Sequence, residues 1–159
     1  MPNFITRKTH ERVLKELAKL REVDLVEISR VKQECAEQGD LRENFGYAEA
    51  KQKLEMIQNR ILELNELLAG VQFIDDLPIP GTMVSVGTSV TLLDKKTNKK
   101  ETYHILGPAD SDMKRNIISF QTPLAKGMIT KKEGDEFSIP IPEGAKPVKI
   151  LQITKYQFD

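Results

Sequence analysis

Between residues 47 and 71 the apolar positions Tyr47, Ala50, Leu54, Ile57, Ile61, Leu64, Leu68 and Val71 alternate in steps of three and four. Glu, Lys, Gln and Asn fill most places between them, which predicts a long helix with a coiled-coil seam. An earlier stretch is less regular. Val13, Leu17 and Leu20 share one stripe, and Ile28, Val31 and Cys35 share another. Val23, Leu25 and Val26 shift the phase between the stripes, so a bend or register slip is expected near residues 22–26. Thr6 or Thr9 is placed to cap the start of this first helix. Each helix would run about 30 residues, on the order of 45 Å at 1.5 Å per residue. Gly39 lies between them, where a helix can end, and a short connection forces the two stripes antiparallel. The expected object is a rod with a free tip, which can reach but cannot enclose a substrate.

From residue 9 to residue 71 there is no proline, whereas seven of the eight prolines lie at or beyond the stretch Asp75-Asp76-Leu77-Pro78-Ile79-Pro80-Gly81. That stretch reads as a stiff linker. It divides the chain into a helical hairpin, 1–77, and a second domain, 78–159. Beyond it the composition turns to Val, Ile and Thr. Strand-like runs appear at 83–86, 89–93, 101–106, 116–120, 137–141 and 148–153, with a polar hairpin turn over 94–100 and a short helix over 123–129. The economical arrangement is α+β: a twisted antiparallel sheet closed by one helix.

Composition removes several function classes. The chain has 159 residues, 39% hydrophobic and 30% charged, with a formal net charge of zero. The charge is almost evenly spread, with 12 basic against 15 acidic residues in 1–77 and 12 against 9 in 78–159. Neither half is a basic nucleic-acid footprint. No apolar run approaches the roughly 18 residues that span a bilayer, and the first residues lack the apolar core of a signal peptide. No membrane partner is expected. The single cysteine, Cys35, cannot form an internal disulfide, in keeping with a reducing cytoplasm. There is no phosphate-cradling glycine loop, and no nucleophile stands beside a base. His10 and His104 fall in different domains without partners at metal-ligand spacing. No small-molecule substrate is indicated.

The tip carries the remaining chemistry. Glu34, Glu37, Asp40 and Glu43 recur every third residue and concentrate carboxylates at the end of the hairpin. Asp40 followed by Glu43 fits a capping box, with both side chains engaged by helix N–H groups. The pattern by itself favours that cap, and the same two residues also offer a pair of hard oxygen donors for Mg²⁺, an ion that commonly takes one or two carboxylates and keeps several waters. The pattern leaves both open. Two carboxylates make no tight site alone, so a partner would complete the shell.

The stretch Gly39-Asp40-Leu41-Arg42-Glu43-Asn44-Phe45-Gly46-Tyr47-Ala48-Glu49-Ala50-Lys51 resembles the tip signature of the bacterial Gre transcript-cleavage factors, with Leu41 as in the A type. Asn116-Ile117-Ile118-Ser119, Thr122-Pro123-Leu124-Ala125-Lys126-Gly127 and Lys131-Lys132-Glu133-Gly134-Asp135-Glu136 are similar to that family's C-terminal domain. The resemblance covers nearly the whole chain. It implies a coiled-coil hairpin that enters the secondary channel of RNA polymerase, and an FKBP-like domain that docks at the channel rim, with Pro123 as a contact. Asp40 and Glu43 would hold the second catalytic Mg²⁺ jointly with the polymerase and help orient the attacking water. The polymerase would then cleave the backtracked RNA 3′ segment, so the factor is no enzyme by itself. Arg42, Asn44 and Tyr47 would shape the tip or touch RNA and polymerase, and Lys51 would face RNA phosphate. One position departs from the family pattern. Ala36 stands where a basic residue is frequent, with Lys32 one turn further back, so long extruded RNA should be released poorly. Two other readings remain: a Gre-like inhibitor that occupies the channel without cleavage, and an FKBP-type prolyl isomerase.

Overall fold

The computed structural model describes residues 3–39 and 44–158. Two compact units emerge: His10–Ala69, and the residues up to Thr9 together with those from Gly70 onward. The arm is thus an insertion in the sequence of the other unit. Strand β1 (Asn3–Ile5) pairs in parallel with β2 (Val71–Phe73), Asn3 opposite Val71, although 68 residues separate them in the chain. Neither strand was foreseen, because three residues are too few to display an alternating pattern.

The arm contains α1 (Arg7–Lys19), α2 (Leu25–Glu37) and α3 (Phe45–Leu68). Thr6, of the two threonines, caps α1: its hydroxyl oxygen accepts from the Thr9 N–H at 3.3 Å. Between α1 and α2 the backbone is a π-helix over Leu20–Asp24, with the Leu25 N–H reaching back five residues to the Leu20 carbonyl. This is the phase slip read from the sequence. A π turn inserts one extra residue per turn, which joins the Val13–Leu17–Leu20 stripe to the Ile28–Val31–Cys35 stripe. Val23 and Val26 are left facing outward, 51% and 62% exposed. The seven predicted seam positions that fall in α3 are buried or half-buried, with Ala50 and Leu64 fully inside, whereas the eighth, Val71, lies in β2. The helices run antiparallel: Cys35 lies beside Gly46 at one end, and Glu16 bonds Arg60 at 2.9 Å towards the other.

The other unit holds a five-stranded sheet in the order β5-β4-β3-β7-β6, comprising β3 (Thr88–Asp94), β4 (Lys100–Leu106), β5 (Ile117–Ser119), β6 (Glu136–Ile141) and β7 (Gly144–Lys155). The expected antiparallel pairing holds from β4 to β6. The edge differs, since β5 lies parallel to β4, His104 opposite Ile117. Helix α4 (Pro123–Met128) closes one face, burying Ala125 and Met128 against Val90, Ile105, Val148 and Ile150.

The strand expected at 83–86 is absent apart from a single bridge between Met83 and Lys132. Its backbone is diverted locally. The Ser85 N–H donates to the Thr88 hydroxyl oxygen, and that hydroxyl donates to the Ser85 carbonyl at 2.6 Å. Such side-chain bonds compete with ladder pairing.

The N-terminal strand is tied to the sheet unit through Asp110. Its carboxylate accepts from the Thr6 hydroxyl at 2.7 Å, the Thr6 N–H at 3.2 Å and the Gly107 N–H at 3.2 Å. Thr6 therefore caps a helix with its oxygen and donates its hydroxyl hydrogen to a buried acid. Among the described residues, no helix is long and apolar enough to cross a membrane.

Candidate functional site

The far end of the arm is built around Asn44. The residue has extended backbone angles, φ −91° and ψ 95°, and stands immediately before α3. Its carboxamide oxygen accepts from the Tyr47 N–H at 3.0 Å, satisfying one of the orphan donors of the first helical turn. Its amide nitrogen donates to the Cys35 carbonyl in the last turn of α2. One short side chain therefore uses both ends, capping one helix and latching it to the other. Gly46 belongs to the same contact, since a Cβ there would meet the Cys35 sulfur at 3.2 Å.

Tyr47 is half-buried on the seam, and the Lys32 ammonium sits 5.8 Å from the centre of its ring. A cation over an aromatic face holds both side chains in place. Ala36 and Lys32 line a shallow hollow with Tyr47. Lys51 lies one turn further along α3 and is exposed. Arg30 pairs with Glu34 at 2.6 Å and Lys53 with Glu49 at 3.3 Å, so those two cations are partly neutralised by their own helices. Phe45, the first residue of α3, is 88% exposed.

The structure brings Asn44, Tyr47, Lys32 and Cys35 together at the end of the arm. Asp40, Arg42 and Glu43 lie outside the described residues. Pro123 belongs to the sheet unit, where it opens α4 as an exposed first residue, preceded by Thr122, whose hydroxyl oxygen accepts from the Ala125 N–H at 3.2 Å. The dual role of Asn44 was only half legible. Asn is among the strongest capping residues, and the spacing to Tyr47 marks a cap. The latch to Cys35 uses a backbone acceptor, which no side-chain pattern announces.

Both halves match models of one class of protein, the transcription elongation factors. Residues 3–72 match "Transcription elongation factor, N-terminal", and residues 79–155 match "Transcription elongation factor, GreA/GreB, C-term". The chain belongs to the GreA/GreB family. The transcription elongation factor GreA of Paracoccus denitrificans is 34% identical over 94% of this chain and 95% of its own. That of Nitratiruptor sp. is 38% identical over 94% of this chain and 91% of its own. Among solved structures, the GreA factor homolog 1 (Gfh1) protein of Thermus thermophilus aligns over 96% of this chain and 99% of its own, at 24% identity and a TM-score of 0.45. The chain is a transcription elongation factor that serves RNA polymerase as a cofactor protein and is not an enzyme in its own right.

Proposed function

We propose that the arm enters the secondary channel of RNA polymerase and that Asp40 and Glu43 join the polymerase's catalytic centre to stimulate cleavage of backtracked RNA. The observation that carries this reading is the capping of α3. Asn44 occupies the N-cap and donates onward to Cys35, so the helix does not depend on either acid for its start. That supports the metal-donor reading of the two acids over the capping box. Asp40 and Glu43 supply hard carboxylate oxygens, the donor type that Mg²⁺ prefers, and two of them leave coordination positions for a partner and water. A Mg²⁺ shared with the polymerase would supply charge stabilisation for phosphodiester hydrolysis. The protein's own part is to deliver the two acids on a rod and to hold the end of that rod in one shape. Lys51 is available to an RNA phosphate. A cytoplasmic location follows from work on the polymerase.

The isomerase reading loses support from packing. Phe120 is in the core, edge-on to Phe4 at 5.5 Å; Phe137 packs against that core, and Tyr156 and Phe158 cover Ile74, Leu106 and Ile117. Few aromatic walls are left for a proline pocket.

The test is RNA cleavage in stalled elongation complexes with the full-length protein. Asp40→Asn or Glu43→Gln should lower the stimulated rate by about ten- to a hundredfold while retaining polymerase binding and the thermal unfolding profile. Equal rates for a doubly neutral variant would refute the reading. Inhibition by the wild-type protein without RNA shortening would favour the channel-blocking alternative.

A further inference from the structure

Most large apolar side chains in this protein have a packing role, and Phe45 does not. It is 88% exposed, although a phenylalanine has a large apolar surface to gain by burial. Its backbone is nonetheless fixed. Phe45 is the first residue of α3, directly after Asn44, whose carboxamide is bonded to both helices. The ring is therefore presented from a braced position at the end of the arm. It also directly follows, in sequence, the acidic stretch read as the functional tip.

Tyr47, two residues on, does not duplicate it. That ring is half-buried and faced by Lys32. Of the two aromatic side chains at this end, only Phe45 has its faces available. Around it the chemistry is mixed rather than apolar: Asn44 and Gly46 flank it, with Glu49 one turn on and Lys51 beyond. An apolar protein wall would match a broader greasy patch. A flat ring at a polar tip, with an exposed cation further along the same helix, matches single-stranded nucleic acid, where bases stack on aromatic faces and phosphates meet lysine.

We infer that Phe45 stacks on a nucleobase of the extruded RNA and holds the RNA in place for hydrolysis. This deepens the proposed function and rests on it. The ring touches RNA but takes no part in bond making. Stacking tolerates any base, yet purines offer the larger face, so the contact should be strongest on a purine.

The experiment uses full-length protein and polymerase complexes backtracked by a defined distance, differing only in the extruded base. The maximal cleavage rate and the factor concentration at half-maximum are measured separately for wild type, Phe45→Ala, Phe45→Leu and Phe45→Trp. The stacking role predicts that Ala and Leu both lower the maximal rate about tenfold or more, that Trp retains it, and that the loss is larger with an extruded purine. The half-maximal concentration should change little. Rescue by Leu would overturn the inference, because an aliphatic chain fills an apolar wall but cannot stack. Unchanged rates in Phe45→Ala, while wild type cleaves normally, would also overturn it and leave the acid-pair reading intact. If wild type stimulates no cleavage in any complex, both fall together. All variants should unfold at the wild-type temperature, since so exposed a ring contributes little to packing.

Discussion

The side-chain amide of Asn44 donates to the backbone carbonyl of Cys35, while its oxygen receives the N–H of Tyr47. Two helices that meet at the end of a narrow arm are joined by one residue. Asn44→Ala removes the cap and the latch and should destabilise the arm by about 1–2 kcal/mol. Asn44→Asp keeps the acceptor and loses the donor, so it should fall between. Amide hydrogen exchange at Tyr47 and Ala48, with thermal unfolding followed by helical circular dichroism, measures both. Equal protection in Asn44→Ala and wild type would show that the latch contributes nothing.

The π turn predicts an unusual tolerance. Deleting Val23 brings the two stripes of the first helix closer to one register, because the step from Leu20 to Ile28 shortens from eight residues to the seven of one heptad. The arm should stay folded, with a melting temperature at or above wild type. Deleting Lys53 from the regular α3 makes the control, since it rotates half of that seam by about 100° and should unfold the arm. Parallel loss of helicity in both deletions would mean that the π turn is not a simple insertion.

Gly107 touches the N-terminal strand. A Cβ there would lie 1.8 Å from the Phe4 carbonyl oxygen, too close for any side chain, so Gly107→Ala must displace β1 or unfold it. A loss of about 2–3 kcal/mol is expected. Asp110→Ala, which strips Thr6 and the Gly107 N–H of their acceptor, should cost a similar amount. Denaturant unfolding of each variant gives the value. The double variant should lose less than the summed effect, because both changes release the same strand.

Two neighbouring strand residues set opposite ends of the pH response. Burial, and then the Arg115 charge, hold the His104 imidazole below its ordinary pKa. The unfolded chain therefore takes up a proton near pH 6.5 that the folded chain resists, and stability falls as pH drops through that range. Tyr103 behaves conversely. Burial, and its hydroxyl donating to Glu101 at 2.6 Å, push its pKa up to about 12. The unfolded phenol ionises near pH 10, so stability present below that value is lost as pH rises towards 12. His104→Gln should flatten the acid limb of the denaturation midpoint and leave the alkaline limb alone, and Tyr103→Phe should do the reverse. The Tyr103 phenolate absorbance, read as wild type minus Tyr103→Phe, locates its own titration directly.

How much of this was legible depends on how local each signal is. The α3 seam repeats over seven positions from Tyr47 to Leu68, every one buried or half-buried, and the eighth apolar position, Val71, falls in β2. The slip in the first helix was visible as a phase change between Leu20 and Ile28, but phase alone cannot distinguish a bend from a π turn. Capping by Thr6 was open between two threonines, because the deciding partner, Asp110, stands 104 residues away. The run Met83-Val84-Ser85-Val86 has strand-like composition, and Thr88 captured its polar groups instead. The parallel placement of β5 beside β4 depends on where the chain goes between them, which the strand residues do not encode. At the tip, the acids were conspicuous in the sequence, and the asparagine that joins α3 to α2 was the quieter signal.

Strands β1 and β2 stand side by side and point the same way, with the whole arm threaded between the end of one and the start of the other. Parallel neighbours always need a return path, and here that path is the whole helical arm. A flexible tether long enough to run back along three strand residues would meet the same topological need. The helical excursion is accordingly a replaceable cartridge: its length, its terminal residues and its internal register can each be rewritten while the sheet that receives it keeps its own sequence.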